Sequence, residues 1–231
     1  MNILFIGYLI YFSNESLTNT NNINTEKSIE NIKNKYNLLC KTSSDINEHL
    51  PVLYNYATEC ESIIECGVRG CISSWAFVYG LLNNNKNKKI LLLNDIDKCD
   101  IKELLDETKN IPIDLSYQWI SDLDLKLSSN YDMVFIDTWH IYGQLKRELD
   151  KFGPITNKYI IMHDTTIDEI NGETIRCHLN AKNQSIISGY PIEEINEGLG
   201  KAITEFLNNN NDWIVHEKLT NNNGLTILKK I

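Results

Sequence analysis

The stretch MVFIDTWHIYGQLKRELDKFG, residues 133–153, opens as a buried strand and closes as a charged helix, with Asp137-Thr138-Trp139-His140 at the join. A carboxylate binds cations and donors, and an imidazole exchanges a proton near neutral pH. Asp137 and His140 are three apart across a tight turn, so they can address one ligand from the same rim. Comparable groups recur: Glu65 in ECGVRG, Asp95 in LLLNDID, His163 and Asp164 in KYIIMHDT. Each lies at or just past the end of an apolar run of strand type. In ECGVRG, Gly67 and Gly70 flank Val68 and Arg69 and let the backbone turn tightly and approach a ligand. The loop is not G-x-G-x-x-G, and the leading Glu65 repels a pyrophosphate but suits an ammonium group. Asp95 can accept both hydroxyls of a ribose, with Asp97 next in line. In ISDLDL, residues 120–125, Asp122 or Ser121 is placed to meet an adenine. The competing reading of the join is structural: Thr138 or Asp137 caps a helix beginning near Ile141, and His140 faces solvent. Trp139 stacks on a sugar ring or packs; packing suits Tyr142 better.

Strands and helices that alternate would place these groups together. SIIECGV, KKILLLND, LSYQWI, YDMVFID and KYIIMHD read as strands; SSWAFVYGLL, DIKELLDETKN, IYGQLKRELDKFG and GLGKAITEFLNN read as helices. Pro51 suits a helix start, and Asp100 with Glu103 has capping-box spacing. In QLKRELDKF, Leu145, Leu149 and Phe152 form the buried stripe. WIVHEKL and GLTILKK, joined by TNNNG, predict a closing hairpin. The expected fold is therefore α/β: a doubly wound, mostly parallel sheet with ligands at the carboxyl ends of its strands. The long stretch 165–198 matches no pattern.

The 231 residues suit one sizeable domain, with residues 1–43 as an N-terminal extension and 44–231 as the domain proper. A net charge of −9 disfavours nucleic acid as a partner. The run ILFIGYLIYF is too short to span a membrane and lacks a basic leader, so it reads as a buried strand or hydrophobic arm. Six scattered cysteines without CxxC spacing suggest reduced thiols and a cytoplasmic setting. Asparagine-rich runs such as LLNNNKNKK read as tolerant surface loops without chemistry.

Glycine loop, strand-two acid and terminal hairpin, in that order over about residues 44–231, resemble the class I S-adenosylmethionine-dependent methyltransferases. That resemblance implies a Rossmann-like seven-stranded sheet. It implies that Glu65, Gly67, Val68 and Gly70 hold the methionine end of the cofactor and Asp95 the ribose; Asp122 is the cofactor-binding candidate taken from ISDLDL. FIDTWHIYGQLKRELDKFG followed by KYIIMHDT is similar to the branch of metal-dependent sugar O-methyltransferases and cephalosporin-hydroxylase-like proteins. By that resemblance Asp137 is a metal ligand, His140 the catalytic base and Asp164 a ligand from the fifth strand. His163 stands where the sugar enzymes carry glutamate, which weakens the case for Mg2+ and leaves Mn2+ or no metal open. The chemistry agrees, because an alcohol attacks a sulfonium methyl only after losing its proton, and a histidine or a cation assists that loss. The expected activity is O-methylation of a small acceptor, a sugar or nucleotide-sugar. A hydroxylase or other oxidoreductase, a non-catalytic ligand-binding module and a homo-oligomer stay open.

Overall fold

The computed structural model describes residues 23–231, and the apolar run at 3–12 lies outside the described residues. A helix, α1, covers residues 23–41. It is followed by α2 (Leu50–Thr58), β1 (Ser62–Cys66), α3 (Ile72–Asn83), β2 (Ile90–Asp95), α4 (Lys102–Thr108) and β3 (Asp114–Trp119). Then come β4 (Tyr131–Ile136), α5 (Tyr142–Phe152) and β5 (Thr156–His163). Three short helices occupy the unpatterned stretch: α6 (Glu173–Arg176), α7 (Ala181–Ser188) and α8 (Ile192–Asn196). Helix α9 (Leu199–Asn209) and the hairpin β6 (Trp213–Leu219) and β7 (Leu225–Lys230) close the chain.

The strands form one seven-stranded sheet in the order β3-β2-β1-β4-β5-β7-β6. β1 to β5 are parallel, and β7 runs antiparallel to both β5 and β6. This is the expected doubly wound sheet with its closing hairpin. Every residue of β1 is buried, as a central strand covered on both faces requires. Side chains alternate between the two faces with the period of two that a pleated strand imposes. Ile63, Leu91, Leu93, Met133 and Phe135 pack under α1 to α4, where Ile32 and Tyr36 of α1 join the same core. Ile64, Leu92, Val134 and Ile136 pack under α5 and α9. Leu145, Leu149 and Phe152 are the buried stripe of α5.

Two local readings change. Asp100 Oδ1 accepts the Lys102 amide at 3.1 Å, but Glu103 reaches Lys35 of α1 and no capping box forms. Asn84, inside an asparagine-rich run, is buried and donates to the Cys60 carbonyl at 2.6 Å. All six cysteines are free thiols. Among the described residues, no helix is long and apolar enough to cross a membrane.

Candidate active site

The strand order reverses between β1 and β4, where a doubly wound sheet opens a crevice. The Asp137 amide donates to the Cys66 carbonyl at 2.9 Å, and the Gly67 amide to the Asn94 carbonyl at 2.9 Å. Gly67 has φ +93°, and a Cβ there would overlap the Asp137 carbonyl. The turn after β1 therefore lies directly against the end of β4, and only glycine permits it. Asp95 locks the turn from β2. Its Oδ2 accepts the amides of Val68 and Arg69 at 2.8 and 2.9 Å, and its Oδ1 accepts that of Asp97 at 2.8 Å. Burial would raise its pKa, but these bonds outweigh burial and hold it below the usual carboxylate range.

Glu65 is wholly buried beneath the turn and is not on the cavity wall. Burial pushes its carboxyl up to about 8, against the hydroxyls of Ser73 and Ser74. Ser73 donates to Oε1, and Oε2 has no hydrogen-bond partner. A cavity of about 600 Å³ opens over the turn, a size suited to a small ligand. Gly67, Val68 and Gly70 line it with Asp95, Asp122 and, at the far end, His140. Asp122 Oδ1 accepts from Gln144 at 3.2 Å, while its buried Oδ2 is unpartnered.

At the β4 end neither Asp137 nor Thr138 caps the helix. The N-cap of α5 is Ile141, without a side-chain bond, and Thr138 donates to buried Glu148. Asp137 and His140 face each other instead, with His140 Nε2 at 3.0 Å from Asp137 Oδ1. His140 Nδ1 lies 3.0 Å from Asp164 Oδ2 and 3.6 Å from Asp168 Oδ2. Burial would lower the imidazole's pKa, but Asp137 and Asp164 together hold it well above its usual value. Asp137 is correspondingly held far below the ordinary carboxylate range, since His140 and His163 overcome its burial. His163 Nδ1 stands 3.1 Å from Asp164 Oδ1 and 3.5 Å from Asp137 Oδ1. Its pKa is raised because these carboxylates overcome its burial. Among the described residues, two trios bring donor atoms within 4.8 Å of one another: Asp137, His163 and Asp164, and His140, Asp164 and Asp168. Asp168 is already claimed by a two-point pair with Arg176, at 2.7 and 2.9 Å. The first trio is the freer of the two for a cation, because it does not depend on the Asp168 carboxylate held by Arg176.

No family model matches the sequence, and no curated protein does. Solved structures do. The N-methyltransferase NodS from Bradyrhizobium japonicum superposes with a TM-score of 0.54 at 12% identity, over 80% of this chain and 96% of that one. An O-methyltransferase from Bacillus cereus in complex with S-adenosylhomocysteine (SAH) gives 0.54 at 10% identity, over 89% and 91%. TomG, an O-methyltransferase of tomaymycin synthesis from Streptomyces achromogenes, gives 0.52 at 11%, over 88% and 89%. The chain has the class I methyltransferase fold. In that fold the glycine turn after β1 and the acid ending β2 are joined here by two amide–carboxylate bonds.

The fold brings Gly67, Val68, Gly70, Asp95, Asp122, Asp137 and His140 to one cavity wall, with Glu65, His163 and Asp164 buried outside its lining. Trp139 stacks on Tyr190 with ring centroids 6.0 Å apart, and Tyr142 is buried. The sequence reading missed Asp168, Glu173, Arg176 and Tyr190, all from the unpatterned stretch. Asp168, four residues after Asp164 in HDTTID, carried a faint spacing signal; the other three carried none.

Proposed function

We propose that the protein transfers the methyl group of S-adenosylmethionine to a hydroxyl of a small acceptor, a sugar or nucleotide-sugar. The observation carrying this reading is the single cavity shared by the glycine turn and the Asp137–His140 step. Methyl transfer needs the sulfonium and the attacking oxygen held in line at contact distance, so one cavity has to receive both. The backbone at Gly67, Val68 and Gly70 cradles the methionine end above Glu65. Asp95 retains lone pairs for a ribose beside the three amides it accepts. Asp122, on the cavity wall, is placed for the amino group of an adenine. At the acceptor end, Asp137, His163 and Asp164 are the residues that would hold a divalent cation. A cation bound there supplies Lewis acidity to the acceptor hydroxyl and offsets the carboxylate charge around His140. The His140 imidazole, in its neutral form, would take the hydroxyl proton.

A second reading has its own observation. Both ring nitrogens of His140 are engaged by carboxylates, so the imidazolium can serve as a fixed countercharge and another group as base. The test is radiolabelled methyl transfer from S-adenosylmethionine to a panel of sugars and nucleotide-sugars, with SAH binding followed by calorimetry. Turnover with hydroxyl acceptors supports the proposal. Absence of SAH binding at millimolar concentration defeats it.

A further inference from the structure

Thr138, Trp139, His140 and Glu173 line the acceptor end of the cavity, and none of them is a lysine or an arginine. Those two side chains ordinarily hold a phosphate, so this end lacks the usual means of meeting a diphosphate. The cations elsewhere on the wall are engaged. Arg69 Nη2 donates to Asp45 at 2.6 Å, and Lys98 lies over the Trp119 ring at 5.9 Å.

Two features of the acceptor end suit a positive charge. The first is Trp139. Tyr190 stacks on its indole at 6.0 Å between centroids and 14° between planes. Tyr190 is itself fixed by the Arg147 guanidinium, 4.1 Å from its ring, and by its hydroxyl, which donates to Gln144 Oε1 at 2.9 Å. Arg147 in turn donates to Glu194 at 2.7 Å. With one face of the indole taken by Tyr190, Trp139 presents the rest of it to the cavity, and an aromatic face attracts a cation. The second feature is Glu173. Of the four carboxylates around His140, Asp137 and Asp164 each stand 3.0 Å from a ring nitrogen, and Asp168 has its two-point pair with Arg176. Glu173 Oε2 is 3.8 Å from Nδ1, beyond hydrogen-bond reach, and that nitrogen is nearer Asp164. Among the described residues the Glu173 carboxylate accepts no hydrogen bond. It is also the most exposed of the four, at 30% against 22%, 9% and 0%. Its backbone is nonetheless fixed: the amide donates to the His140 carbonyl at 2.8 Å, and the carbonyl accepts the Cys177 amide at 2.7 Å.

We propose that the acceptor carries an ammonium group beside the methylated hydroxyl, as an amino sugar does, and that Glu173 and Trp139 bind that ammonium. This rests on the reading of the cavity as a methyltransferase site and narrows its acceptor to a cationic sugar. A protonated amine has no lone pair, so the hydroxyl oxygen is the nucleophile. Its lone pair forms the new O–CH3 bond, the S–CH3 electrons stay on sulfur as neutral SAH, and the hydroxyl proton leaves to the base.

The test compares acceptors on the unaltered chain. Glucosamine, galactosamine and mannosamine are each set against their N-acetyl counterparts, which keep the same hydroxyls and lose the charge, and against UDP-glucose. Radiolabelled methyl transfer gives the rates, and mass spectrometry locates the methyl group. At least one amino sugar should exceed its N-acetyl counterpart in kcat/KM by about tenfold or more, with the methyl on oxygen. Glu173→Gln should raise KM for that amino sugar about 10–100-fold, the worth of a hydrogen bond to a charged group, and bring the ratio towards one. Its kcat and SAH affinity should hardly change. Trp139→Leu should raise the same KM about 3–30-fold, the range of a cation held over an aromatic ring. Equal or faster turnover of the N-acetyl sugars or of UDP-glucose, methyl on nitrogen, or a ratio unmoved in Glu173→Gln each overturns the proposal. Absence of turnover with all the amino sugars while SAH still binds overturns it too, and leaves the cofactor reading standing. Lost SAH binding sinks that reading itself. The acceptor comparison needs no variant, so a misfolded one does not remove the test.

Discussion

Glu65 keeps its proton when folded up to about pH 8, but sheds it near pH 4.5 in the unfolded chain. The folded state binds the extra proton across that window, so the group's stabilising contribution, full at low pH, is lost as pH rises towards 8. Glu65→Gln is neutral at every pH and similar in shape, so it should flatten that slope. Urea unfolding of both proteins from about pH 5 to about pH 8 should give curves that diverge by roughly 4 kcal/mol. Parallel curves would mean that Glu65 ionises freely in the folded chain. His140 makes the complementary prediction. Its removal in His140→Ala should lower kcat about 10²–10⁴-fold, the size of general-base catalysis, and leave SAH affinity unchanged. Without added cation the wild-type rate should climb only well above the ordinary imidazole range, since Asp137 and Asp164 hold the proton on. Added Mn2+ should move that climb to lower pH. A rate profile identical in the alanine variant would make His140 a countercharge. Most residues of the rim were legible because strand ends are legible and the acids cluster there. Glu173, Arg176 and Tyr190 were not, because they sit on or beside helices too short to show a period.

At the scale of elements, the hairpin was readable from TNNNG, but its task was not. Turn chemistry is local, whereas the contacts of Asn222 with Ser44 and Glu48 join segments far apart in sequence. The same limit explains the missing capping box, where Lys35 of α1 outcompetes a local partner for Glu103. Gly224 has φ +102°, and a Cβ there would overlap Thr166, whose amide is bonded to the Asn223 carbonyl at 3.0 Å. Gly224→Ala should therefore cost about 1–3 kcal/mol and loosen the hairpin tip. Calorimetry should show weakened Mn2+ binding with SAH binding retained, because the Asn222 carbonyl of the tip stands 3.2 Å from His163 Nε2. Equal losses for both ligands would point to general unfolding.

For the molecule as a whole, alternating apolar segments were enough to define the sheet, since its central strands pack helices on both faces. SAH at about a hundred times its dissociation constant should stabilise the fold by about 2.7 kcal/mol, visible as a raised Tm. Asp97→Ala should leave most of that gain, and its loss there would move the ribose contact from Asp95 to Asp97. The clamp between the hairpin and the segment before α2 has a further consequence, in the order of assembly. Glu48 and Asn222 are 174 residues apart, and Ser44 and Asn222 are 178 apart. Closing so long a loop is entropically slow, so local helices and neighbouring strands form ahead of it. The glycine turn, β2 and β4 can assemble from residues 62–137 alone, before the hairpin arrives. During refolding the nucleoside pocket should accordingly mature early and the His163 side of the rim last. A chain caught between those stages has a cofactor seat but no ordered acceptor side, which makes closure of the two distant segments the kinetic checkpoint of the site.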